Sequence, residues 1–458
     1  MKGHHLLAVT LISALAICSL RCMAAAEEDK ADAPRVRLEL LARQPNQWNG
    51  EPIRQAAYKH DGAVLITDHH VVFLGPNASK GVPSQADVVT TVDAGWKMPA
   101  RGKLEEAIAA TLSDDGELVL LEVWLRAKPQ EDDDRNASLY DYRGKLLHRF
   151  KLPIWTGSAL SKEARIIVKF GPESIWHPAL EAWRFPTSVR FHSLDGHEGD
   201  FYRPGGQFLR RSRLVGRSLA TVIRYNDKPR VALFRDQQLR WLADLGDVRE
   251  FPTTVEVSPT EKRVVVLTPQ DRMEEMLSPD APRRPGVRIY DADGGIILED
   301  TTARLALTDK VIFVPAVGEG HECAIVLDWQ RAICFDATEG KLLWETSLPA
   351  PGDARAEALA FLPAGYLVAG VAFRAKQDQP PAEQQAQLFL LDKDGVLLSQ
   401  LDLPEAGLAH SSASLIGPAN RLVQTLPDGK RFWLRGARDA FLIGVAEDGA
   451  AAAAPSDQ

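Results

Sequence analysis

One unit recurs along most of this chain: an apolar strand ending in aspartate, a tight turn that usually carries glycine, and a second apolar strand. It stands as LYDYRGKLLHRF, RIYDADGGIILED, CFDATEGKLLWET and LLDKDGVLLSQLD. With weaker copies at Asp195 and Asp236, the marking aspartates are Asp141, Asp195, Asp236, Asp291, Asp336 and Asp392, spaced 41 to 56 residues apart. A second unit alternates with it, an apolar run, a serine, a polar turn and another apolar run. Its copies are ATLSDDGELVLLEV around Ser113, ALSKEARIIVKF around Ser161 and VEVSPTEKRVVVL around Ser258, with ALAFLPAGYLVAGV around Pro363 as a looser one. Two hairpins in every ~40–55 residues is the period of a four-stranded sheet repeated in tandem. A small twisted sheet cannot bury both faces alone, whereas a ring of such sheets buries each against its neighbours. The expected fold is all-β, a β-propeller of four-stranded antiparallel blades.

Counting units gives eight, over about 50–98, 105–153, 158–203, 205–247, 250–302, 305–349, 355–404 and 408–447. The first and last are the least regular, as expected where N- and C-terminal strands share a closing blade, so a seven-bladed ring is the alternative. Residues 27–49 read as a polar lead, 50–447 as the propeller, and 448–458, which end in GAAAAAPSDQ, as a disordered tail.

Residues 1–26 read as a signal peptide. Lys2 supplies the positive end, Leu6 to Leu20 the apolar centre, and Ala24-Ala25-Ala26 the small-residue cleavage pattern before Glu27. Arg21 ends the apolar run short of the roughly 18 residues a transmembrane span needs. Lipid anchoring at Cys18 is not expected, because Ile17 is a poor residue before a lipidated cysteine. The mature chain is thus expected outside the cytoplasm, periplasmic or secreted, with no membrane span. It keeps two of the four cysteines, Cys323 and Cys334, and an even pair in an oxidising compartment suggests a disulfide. A hairpin centred between Asp328 and Trp329 would set these two directly across from each other, within disulfide reach, whereas a longer turn would shift the register and leave two packed thiols. The formal charge of −8 argues against nucleic acid as a partner. The basic run Arg210, Arg211, Arg213 and Arg217 is expected on a solvated strand face.

At GKLLWE, GKLLHR and GVLLSQ the chain resembles the pyrroloquinoline-quinone-type propeller repeat, and its serine turn is similar to Trp-Asp-type repeats. The resemblance covers most of the mature chain, although only Trp344 keeps the repeat tryptophan cleanly. It implies blades rather than a chemistry, since that superfamily includes dehydrogenases, envelope assembly scaffolds and plain binding proteins. The vicinal cysteines of the quinone dehydrogenases are missing, and so is a Cys-x-x-Cys-His haem site, so no cofactor is expected.

Four long segments, 128–137, 172–186, 268–286 and 374–387, all fall between the second and third strands of their blades. Long loops on one face of a rigid scaffold suit recognition. The third-blade loop adds Trp176, His177 and Trp183, and exposed aromatics are typical interface anchors. His192, Asp195 and His197 in FHSLDGHEGD are weak metal candidates, because their spacing matches no helix-borne metal motif and they surround a turn where polar residues belong. DHH at 68–70 and DADGG at 291–295 read as turns, the latter lacking the distal glutamate of a calcium loop. The nucleophile elbow Gly-x-Ser-x-Gly is absent, and GRSLA at 216–220 has alanine where its last glycine belongs. The sequence therefore points to a binding or scaffold module whose partner is a protein or a polysaccharide. The alternative is an enzyme, a hydrolase or lyase with histidines and carboxylates from several blades at the axial mouth.

Overall fold

A computed structural model describes residues 36–447 except 80–82, 94–104, 114, 127–133, 154–156, 173–174, 178–181, 185–186, 203–206, 226–227, 247–253, 270–284, 303–304, 306–309, 316–320, 329, 352–353, 374–384, 404–421 and 437. Residues 1–26, which read as a signal peptide, and the alanine-rich tail lie outside the described residues. Eight four-stranded antiparallel sheets form the blades of a propeller, each with its strands, A to D, in consecutive order from the axis outward. The A strands are Gln55–Lys59, Glu105–Leu112, Gly157–Ser161, Gln207–Val215, Thr254–Val257, Lys310–Pro315, Arg355–Phe361 and Val423–Thr425. Blade eight closes the ring by borrowing its D strand, Val36–Pro45, from the start of the chain, where it lies beside Asp439–Glu447. The propeller therefore begins inside the segment that reads as a polar lead, and eight blades, not seven, are present.

Burial follows from position in the ring. Strands B and C are covered on both faces by neighbouring blades, so Glu322–Leu327 is buried throughout and Arg331–Asp336 nearly so. Strand D runs around the circumference with one face in solvent, and Gln238–Asp244 alternates exposed and half-buried residues. Continuous apolar runs in B and C and broken ones in D are what this arrangement demands. The apolar cores lie between blades rather than within them. Ile325 and Leu327 of blade six pack with Leu367 and Phe389 of blade seven, and Val168 and Phe191 of blade three with Leu219 and Phe234 of blade four. In blades one to seven the pairing of C with D shifts register near the start of D. Such bulges twist the outer edge and blunt it against pairing with other chains.

The repeated aspartate is explained by its side chain. Asp141 Oδ1 accepts the backbone N–H groups of Arg143 (3.0 Å) and Lys145 (2.9 Å). Asp291 does the same for Asp293 and Gly295, and Asp392 for Asp394 and Val396. A carboxylate holding two N–H groups closes the C–D turn before the D strand begins. The serine unit works alike at the A–B turn, where Ser113 Oγ accepts from Glu117 and Leu118 and Ser258 Oγ from Lys262 and Arg263. Two of the expected copies differ. In blade three the position belongs to Ser193, whose Oγ accepts the N–H of His197, while Asp195 sits two residues into the turn. In blade four Asp236 (φ 51°) and Gln237 (φ 69°) are the two left-handed residues of a tight hairpin joining Arg235 to Gln238.

The C–D turn of one blade docks on the D strand of the blade before it. Trp241 of blade four donates its indole N–H to the carbonyl of Ala292 in blade five (3.1 Å), and Trp344 of blade six to that of Lys393 in blade seven (3.2 Å). Gly395, at φ 80°, has no room for a side chain: a Cβ there would stand 2.5 Å from Trp344 Cδ2. Trp241 thus repeats a role that the sequence assigns cleanly only to Trp344. At the seam of blades two and three a charged network is sealed in the interior. The Lys169 ammonium, fully buried, binds Glu122 and donates to Ser158 Oγ (2.8 Å).

Candidate functional site

The segments at 127–133, 173–186, 270–284 and 374–384 each join strand B to strand C of a blade, as their flanking strands require. Most of their residues lie outside the described ones. In blade three the segment folds back on itself as a two-stranded ribbon, Ile175–His177 with Ala182–Arg184. Its register sets Trp176 directly opposite Trp183 and His177 opposite Ala182. Directly paired residues share one face of a ribbon, and neighbours along a strand alternate faces. The two tryptophans therefore fall on one face and His177 on the other. The sequence singled out these three residues but offered no sign that two of them are cross-strand partners.

On the axis, the A strands of blades four to eight enclose a cavity of about 290 Å³. Its wall is about equally polar and apolar, with Val257, Ile312, Leu359 and Phe361 among the lining residues, and Arg213 and Glu256 are its charged pair. Arg213 Nε donates to Glu256 Oε1 at 2.5 Å, and the arginine is 5% exposed. For Arg213 this corrects the expectation of a solvated basic face, because the residue lines the axial cavity; Arg217 is exposed as expected, and the side chains of Arg210 and Arg211 lie outside the described ones. Val215, Pro259, Phe361 and Thr425 lie at or just past the ends of their A strands, next to the A–B turns. The cavity thus stands toward the end of the ring opposite the B–C segments. Among the described residues its lining holds one carboxylate, already paired with a guanidinium, and no histidine. An axial acid–base pair of the kind a hydrolase or lyase needs is not assembled from these groups.

His192, Asp195 and His197 do not converge. His192 lies on strand C of blade three, 3% exposed, while His197 sits in the turn with its side chain 88% exposed and Nε2 3.8 Å from Asp195 Oδ2. Burial pushes the His192 imidazole below its ordinary value, with Lys169 and Arg190 adding to the effect against Glu198. No group of three or more potential metal ligands is found among the described residues. The turn at 68–70 is structural: Asp68 takes a two-pronged bond from Arg54 (2.5 and 2.9 Å), and His70 Nδ1 meets Glu51 Oε2 at 2.9 Å.

The cysteine hairpin is longer than expected. Asp328 accepts the N–H groups of Gln330 and Arg331 and donates its own N–H to the Arg331 carbonyl, which holds a turn over 328–331. Cys323 is consequently paired with Asp336 and Cys334 with Ile325. The two cysteines are diagonal neighbours rather than direct partners, and both are free thiols buried in the blade. His321 is bonded to Asp336 (3.1 Å).

No family model matches the chain, and no curated protein matches it. Among solved structures, it is similar to the Dos1 propeller at 11% identity (TM-score 0.48), covering 89% of this chain and 95% of that one. It is also similar to the WD40 domain of SCAP from fission yeast at 10% identity (TM-score 0.45; 90% and 98% covered). A third is the dihydro-heme d1 dehydrogenase NirN in complex with DHE, at 13% identity (TM-score 0.44; 88% and 81% covered). At these identities, and with TM-scores below 0.5, the likenesses lend this chain no activity.

Proposed function

We propose that the chain is an exported binding or scaffold propeller that engages a protein or polysaccharide partner on its B–C face. The observation that carries this is the blade-three ribbon, where Trp176 stands opposite Trp183 on an insertion that the ring itself does not need. Paired tryptophans offer a broad apolar surface with N–H donors, suited both to apolar protein anchors and to sugar rings.

The experiment compares the intact protein with a version whose residues 173–186 are shortened to a turn, and with the double variant Trp176→Ala, Trp183→Ala. Retention of an envelope protein, or retardation in gels containing soluble polysaccharide, is expected of the intact chain and not of the others. Equal behaviour by all three would remove the ribbon from the binding surface. Fractionation and N-terminal sequencing test export, with a mature chain starting near Glu27 expected.

A further inference from the structure

A second cavity, of about 390 Å³, lies between blades six and seven, and Cys323 and Cys334 both line it. Its apolar wall includes Ile325, Trp344 and Leu367, and Asp392, Lys393 and Asp394 of the blade-seven C–D turn border it. Lys393, Asp394 and Leu343 are exposed, which gives the cavity access to the outer surface.

The register decides what the thiols can do. Diagonal cross-strand residues have Cα atoms about 7–8 Å apart, whereas a disulfide requires roughly 4.4–6.8 Å. The two cysteines nevertheless stand on the same face of adjacent strands, both free thiols lining the one cavity. This diagonal spacing disfavours a direct sulfur–sulfur bond of about 2.05 Å. A bridging metal ion with two metal–sulfur bonds of about 2.3 Å each spans a wider separation than a direct sulfur–sulfur bond does.

We propose that Cys323 and Cys334 form a two-coordinate site for a soft monovalent cation, Cu(I). Paired thiolates select Cu(I) among biological metals, and a tetrahedral zinc site would need four ligands where no group of even three is present among the described residues. Binding forms two copper–sulfur bonds and releases two thiol protons to solvent, with no electron transferred. The product carries one net negative charge, which Lys393 on the same cavity offsets. Asp392 and Asp394 draw the cation toward the opening.

The test titrates the reduced full-length protein with Cu(I) against a chromophoric chelator without oxygen, and weighs the product by native mass spectrometry. One copper per chain is expected, with Cys323→Ala and Cys334→Ala each losing more than about tenfold in affinity. Because a buried alanine could disturb the blade, Lys393→Glu on the exposed rim is the second variant, expected to fold normally and to bind copper more weakly. Copper uptake unchanged in the double cysteine variant overturns the proposal. So does a wild-type chain that binds none, or one that loses two hydrogens to an internal disulfide when handled in air.

Discussion

Trp344 of blade six donates its indole proton to the carbonyl of Lys393, 49 residues further along and one blade away, at 3.2 Å. The same tryptophan fills the space that a side chain on Gly395 would occupy. Trp344→Ala is expected to cost about 3 kcal/mol through lost packing, and Trp344→Phe about 1 kcal/mol through the lost hydrogen bond. Gly395→Ala is expected to cost about 1–3 kcal/mol, from left-handed strain and from collision with the ring. Combined with Trp344→Ala, the glycine change should cost less, because the collision is gone while the strain remains. Urea midpoints for the four chains check this. Strict additivity would mean that the turn and the tryptophan do not act together.

The Glu122–Lys169–Ser158 network tests how a charge is kept inside the ring. Lys169→Met leaves the buried Glu122 carboxylate without its cation and is expected to cost about 3–5 kcal/mol. The triple change Glu122→Leu, Ser158→Ala, Lys169→Met removes both charges and the hydroxyl between them together and should lie within about 1 kcal/mol of the parent, or above it. Thermal melts of the single and triple variants distinguish a network that stabilises from one that is merely self-consistent. A triple variant as weak as the single one would show that the charges contribute net stability.

His192 predicts a pH dependence with a definite sign. Its imidazole is held below the ordinary value by burial, so the unfolded chain takes up a proton that the folded chain refuses. Stability is then whole above about pH 6.5 and falls as pH drops below it, by at most about 1.4 kcal/mol per pH unit. His192→Leu, which removes the titrating group, should flatten this part of the profile. The urea midpoint at about pH 7.5 and pH 5.5 gives the comparison, and an unchanged slope in the variant would assign the effect elsewhere.

The repeat was legible because its turns depend on local chemistry. Asp141, Asp291 and Asp392 each close a turn with their own side chain, and that need is written within five residues. What depends on distant strands was not legible. Trp241 follows a tight hairpin with no glycine, so nothing nearby marks it as the counterpart of Trp344. Arg213 reads as surface until the ring places its strand on the axis. The cysteine register missed by two residues, because Asp328 uses its carboxylate to hold a wider turn than a minimal hairpin would. The Trp176–Trp183 pairing depends on a fold-back inside a loop whose composition gives no strand signal.

The stretch VRLELLARQP reads as polar because it is a circumferential strand with one face in water, yet it completes blade eight. Arg43 binds Asp439 through Nε at 2.8 Å, and the Asn46 amide donates to the Gly436 carbonyl at 3.1 Å. Leu41 packs over Gly444, and the Leu38 N–H reaches Ser399 of blade seven at 3.0 Å. Removing residues 1–46 would strip these contacts and leave Asp439–Glu447 as an open edge at the point where the ring closes. The truncated chain is expected to melt well below the intact one and to associate, as exposed edges pair between molecules. Arg43→Ala alone, a single exposed ion pair, should cost no more than about 1 kcal/mol. Size-exclusion chromatography with thermal melts separates the two, and a truncated chain that stays monomeric with an unchanged melt would show that three strands suffice to close the ring.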